Sequence, residues 1–103
     1  MDRVARIIEL LKATPQDSFL QHALALELIK AGNDAEARKM FETILAQDPN
    51  YTGSYYHLAK LLERIGQKDA AIEWYEKGLA VTKAVGDNHS YIELKAAYED
   101  LVF

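Results

Sequence analysis

The chain contains no cysteine. Disulfides, thiolate nucleophiles and cysteine-based zinc sites are therefore excluded. It has only two prolines and five glycines, all isolated. There is no glycine-rich phosphate loop and no Pro- or Ser-rich linker, so residues 1–103 are expected to form one domain around one core. Long apolar runs are also missing: none approaches the roughly 20 residues that cross a bilayer. The opening MDRVARIIELLKA is interrupted by Arg6, Glu9 and Lys12. That pattern is an amphipathic helix rather than an export signal, and a cytoplasmic location is the expectation. Nor is there a block of basic residues. A net charge of −4 repels phosphate backbones and anionic lipid, so neither nucleic acid nor membrane is an expected partner.

What the chain does have is a period. Leu24, Ala25, Leu28, Gly32, Ala37, Phe41 and Leu45 recur 34 residues later as Leu58, Ala59, Leu62, Gly66, Ala71, Tyr75 and Leu79. A fixed spacing of this length marks a stacked helical repeat. Two copies follow, 18–51 and 52–85.

Each copy is expected to be an antiparallel helix pair. Leu20, Ala23, Leu24, Ala25 and Leu28 recur at helical steps. Gly32 supplies the left-handed residue that closes this helix. Asn33 and Glu36 have capping-box spacing for the next one. Ala37, Met40, Phe41, Ile44 and Leu45 form its stripe, and Asp48-Pro49-Asn50 stops it. In the second copy Thr52 is the expected N-cap. Leu58, Leu61, Leu62 and Ile65 precede Gly66. Ala70, Ala71, Trp74, Tyr75 and Leu79 form the second stripe, and the helix runs to about Ala84 before Gly86-Asp87. Ala25, Ala59, Ala37 and Ala71 fall where the paired helices approach most closely, and Phe41 and Tyr75 fill the space beside them.

These residues resemble the tetratricopeptide repeat family. The first copy matches its pattern at Leu24, Ala25, Leu28, Gly32, Ala37, Phe41 and Pro49, and departs at Gln21 and Ile44. The second matches at Tyr55, Leu58, Ala59, Leu62, Gly66, Ala71 and Tyr75, and departs at Gly78 and Lys83. The register extends outwards. Residues 3–13 carry the second-helix pattern, with Ile7 at the position of Phe41. Residues 88–102 carry the first-helix pattern through Tyr91, Leu94 and Tyr98, as a terminal capping helix. The implied fold is an all-α solenoid of helix hairpins, with about five helices.

The resemblance implies a protein-interaction module. In the family, the first helices line a concave groove that holds a peptide or a helix of a partner. Carried onto this chain, the groove takes Phe19, His22, Leu26, Ile29 and Lys30 from the first copy. It takes Tyr56, Lys60, Glu63 and Arg64 from the second, and His89 and Ile92 from the last helix. Leu26 and Ile29 either anchor an apolar ligand side chain or pack against the N-terminal helix. One branch of the family clamps a terminal carboxylate with lysine and asparagine. His22, Leu26 and His57 stand at those positions, so chaperone tails are not expected ligands. The alternative function is self-association as a homodimer through open faces of the end helices, with Val4 and Ile8 at one end and Ile92, Val102 and Phe103 at the other.

Nothing points to chemistry. His22, His57 and His89 lack a ligand partner at helical spacing, so no metal site is expected. No serine stands in a nucleophile elbow. The acidic pair Glu99-Asp100 diverges around a helix. The expectation is a binding module without cofactor or catalytic residue.

Overall fold

The computed structural model describes residues 2–103, and the chain divides into two compact units between Asp48 and Pro49. The first contains α1 (Arg3–Ala13), α2 (Ser18–Lys30) and α3 (Asp34–Gln47). The second contains α4 (Gly53–Arg64), α5 (Lys68–Val85) and α6 (Asn88–Val102). Half a repeat, two whole repeats and another half make six helices, one more than the count of about five. No strand occurs among the described residues, and no helix there is long and apolar enough to cross a membrane.

Three turns share one device. Gly32, Gly66 and Gly86 have φ of 81°, 82° and 77°. Side chains with a Cβ rarely adopt this conformation. The left-handed residue lets the next amide reach back to the last turn of the helix. Asn33 N–H donates to the Leu28 carbonyl at 2.8 Å, Gln67 to Leu62 at 2.8 Å and Asp87 to Thr82 at 2.9 Å.

The helix starts differ from expectation. The Asn33 side chain makes no capping bond, and the residue has φ of −94° and ψ of 63°. The Ala37 amide bonds to the Asn33 main-chain carbonyl instead, at 3.0 Å. Thr52 has helical angles and likewise makes no side-chain cap. Its hydroxyl donates to Asp87 at 2.6 Å. Aspartates do the capping: Asp2 accepts from the Ala5 amide, Asp17 from Leu20 and Asp87 from Ser90.

Ala25, Ala37 and Phe41 are fully buried in the first unit, and Ala59, Ala71 and Tyr75 in the second. Small residues let the axes close to about 8–10 Å, and the aromatic ring fills the hollow alongside. Burying a ring of this size removes enough apolar area from water to contribute about 1.5–3 kcal/mol. Gly78 makes the closest approach. A Cβ added there would meet Tyr55 Cβ at 2.8 Å and Leu94 Cδ1 at 2.9 Å. The family departure at this position is therefore a packing requirement of α5 between α4 and α6.

Candidate protein-interaction surface

On α2 the named residues share one side of the helix without sharing one environment. Phe19 is 70% exposed and Lys30 is exposed; His22, Leu26 and Ile29 are half-buried. The His22 ring lies edge-on to Phe41, with centroids 5.5 Å apart. Lys30 is 3.6 Å from the Glu27 carboxylate, which also holds Arg3 at 2.6 Å. Leu26 and Ile29 are neither core residues nor freely solvated.

In the second unit α4 and α6 pack against each other and against α5. Tyr56, Lys60, Glu63 and Arg64 stay at least partly open on α4, as do His89 and Ile92 on α6. Their neighbours Tyr55, Leu58, Ala59 and Leu94 are buried. The 100° step between successive helical residues makes this separation. Tyr56 meets the His57 ring edge-on at 5.5 Å. The Tyr75 hydroxyl donates to the Glu63 carboxylate, and Lys60 approaches the same group at 3.6 Å. Glu63 is thus tied to the interior as well as facing water, a bond between two helices that residue spacing does not reveal.

The electrostatics are local. Burial lowers the His57 pKa below its ordinary 6.5, with the nearby Glu93 carboxylate opposing the shift. Burial, then the bond to Glu63, pushes the Tyr75 hydroxyl well above the usual phenol range. Trp74 is half-buried against Tyr55, and Lys77 Nζ sits 4.5 Å from its ring centroid.

At the end helices, Ile8, Ile92 and Phe103 are 44%, 66% and 96% exposed, while Val4 and Val102 are half-buried. A groove of about 240 Å³ runs between α1 and α2 over Ile7, Leu10, Leu20 and Ala23, with Phe19, Arg3 and Arg6 at its edge. A larger hollow of about 510 Å³ lies along Thr14–Asp17. It has one loop for its wall and no facing element, so it offers a ligand little to grip.

The tetratricopeptide-repeat family model matches residues 28–98. The mouse (Mus musculus) interferon-induced protein with tetratricopeptide repeats 3 is 28% identical over 102 residues, a match that takes in 99% of this chain and 24% of the relative. The chain thus spans about a quarter of that relative's length. A tetratricopeptide-repeat domain protein from Salinibacter ruber is similar in structure, with TM-score 0.82 and 39% identity, over 85% of this chain and 89% of that one. The TPR2B domain of yeast Sti1, solved as a complex with pHsp70, superposes with TM-score 0.87 over 95% of this chain and 78% of its own. At 21% identity that likeness shows the fold. Repeat period, helix pairing, glycine turns and family match agree: the chain belongs to the tetratricopeptide-repeat family.

Proposed function

We propose that the chain is a non-catalytic protein-interaction module that holds a peptide or helix of a partner on its first helices. One observation carries this reading. On the paired α4 and α6, Lys60, His89 and Ile92 are exposed and Tyr56 is half-buried, while the residues that build the helix contacts are buried. The strip combines an aromatic ring and an aliphatic anchor with the Lys60 ammonium, which suits an extended segment bearing apolar and acidic side chains. Phe19, His22, Leu26, Ile29 and Lys30 offer a comparable strip on α2. The Sti1 domain, with the same fold, was solved as a complex with a protein ligand. Because His22, Leu26 and His57 replace the carboxylate-clamp residues, the ligand proposed is an internal segment rather than a chain terminus.

Selection from a displayed peptide library tests the proposal. Selected peptides are expected to bind the intact chain and to lose about tenfold or more in affinity with Ile92→Asp or Tyr56→Ala. The melting temperature of both variants should stay near that of the parent. Peptides whose binding ignores both changes would show that this strip is not the site.

A further inference from the structure

In the second unit α4 lies against both α5 and α6. In the first, α1 carries the second-helix pattern of α5, and α2 carries the first-helix pattern of α6. Leu10 then stands where Gly78 stands, and Leu24 where Leu94 stands. The place that α4 fills beside Gly78 corresponds, in the first unit, to the groove of about 240 Å³ over Ile7 and Leu10. Leu10 is 45% exposed and Phe19 70% exposed at that groove. Repeat register puts this groove where one more helix would pack.

We propose that the groove between α1 and α2 docks an amphipathic helix of a partner protein whose flank is acidic. The apolar floor sets the amphipathic character. The charge follows from Arg3 and Arg6 at the edge. Glu27 offsets Arg3 at 2.6 Å. Among the described residues, no carboxylate forms a salt bridge with Arg6. A second copy of this chain is a poor occupant. Among the described residues α6 is the first helix outside a whole repeat, and Lys95 holds the position where whole repeats place Ala25 and Ala59. The facing position, Ala37 and Ala71 in whole repeats, is Arg3 on α1. Stacking would force two cations into a crossing built for methyl groups. The docked helix needs a small residue at that crossing and carboxylates beside it. This site is separate from the strip on α4 and α6.

The test is an NMR titration of the intact chain with two stapled helical peptides. Both carry leucine, leucine, alanine and leucine at the spacing of Tyr55, Leu58, Ala59 and Leu62. One has glutamates on its flanks and the other lysines. The glutamate peptide is expected to shift the Ile7, Leu10 and Phe19 amides saturably, and to bind about tenfold more tightly than the lysine peptide. Arg6→Glu should reverse that order, and Leu10→Asp should abolish binding. If Leu10→Asp also lowers the melting temperature, the reversal by Arg6→Glu decides. The proposal is overturned by absent or non-saturating shifts, by equal binding of the two peptides, or by shifts at these amides that grow with the protein's own concentration, which would make a second copy the occupant. Ile92→Asp leaves this groove intact, so failure here and failure of the α4–α6 strip are distinguishable.

Discussion

Gln21 and Tyr55, 34 residues apart, make the same bond with different chemistry. The Gln21 amide donates to the Pro15 carbonyl at 3.0 Å, and the Tyr55 hydroxyl donates to the Pro49 carbonyl at 2.7 Å. Each side chain ties the start of a first helix to the loop before it. Gln21 is 6% exposed, and its amide oxygen accepts from Gln47 Nε2 at 2.5 Å, joining α2 to α3.

The glutamine link predicts non-additive losses. Gln21→Ala removes the bonds to Pro15 and Gln47, while Gln47→Ala leaves the Gln21 oxygen without that donor. Each single change is expected to cost about 1 kcal/mol. The double variant should lose less than the sum, with a coupling of about 0.5–1 kcal/mol. Urea denaturation of the four proteins measures this, and strict additivity would show that the Gln21–Gln47 bond contributes nothing.

Gly78→Ala is expected to destabilise despite alanine's better helix propensity. The propensity gain is about 1 kcal/mol. Against it stands a methyl group placed 2.8 Å from Tyr55 Cβ, an atom fixed to the backbone of α4. Overpacking of this kind costs about 1–3 kcal/mol, so the net expectation is a loss of up to about 2 kcal/mol. A higher melting temperature for Gly78→Ala would show that α4 and α5 separate at little cost.

Much of this fold was legible as spacing. The apolar stripes follow the helical period, and Gly32 and Gly66 stand where a left-handed residue must, so the helix pairs could be placed within a residue or two. Helix starts were less legible. Asn33 and Thr52 are good capping residue types, but residue type alone does not show which way the side chain turns. Neither side chain caps its helix, while Asp17 caps α2 and Asp87 caps α6 after a glycine turn like the one before Asn33, so residue type and turn do not decide capping. On the candidate surface, repeat register puts Tyr56 and Lys60 on a first helix and Ile92 on the last, and these are α4 and α6. It could not show that Glu63 is bound from beneath by Tyr75, because that bond joins two helices. The groove over Leu10 and Phe19 was also hidden, since it depends on how α1 meets α2.

Asp87 binds Thr52 with one oxygen and the Ser90 amide with the other. These bonds hold its pKa below the ordinary 3.8, the Thr52 bond foremost. A lowered carboxylate pKa stabilises the fold above the unfolded value, and that contribution is lost as the pH falls through the folded value. Thr52→Val removes one bond and leaves the cap. Asp87→Ala removes both. Hydrogen exchange at Ser90 and Tyr91 should therefore quicken modestly in the first variant and strongly in the second. Equal protection in both would mean that α6 does not depend on this cap.

His57 sets a pH dependence of its own. Burial lowers its pKa below 6.5, so the fold prefers the neutral ring. Well above 6.5 the folded and unfolded chains both hold neutral histidine, and the group adds no pH dependence. As the pH drops, the unfolded chain takes up the proton first, and stability declines until the pH has passed through the lowered folded value. His57→Gln is expected to flatten the melting curve between about pH 7 and about pH 5. Glu93→Gln should steepen it, because Glu93 is the charge that favours the imidazolium ring. Melting temperatures across that range decide the matter: a slope that survives in His57→Gln would assign the titration to another group.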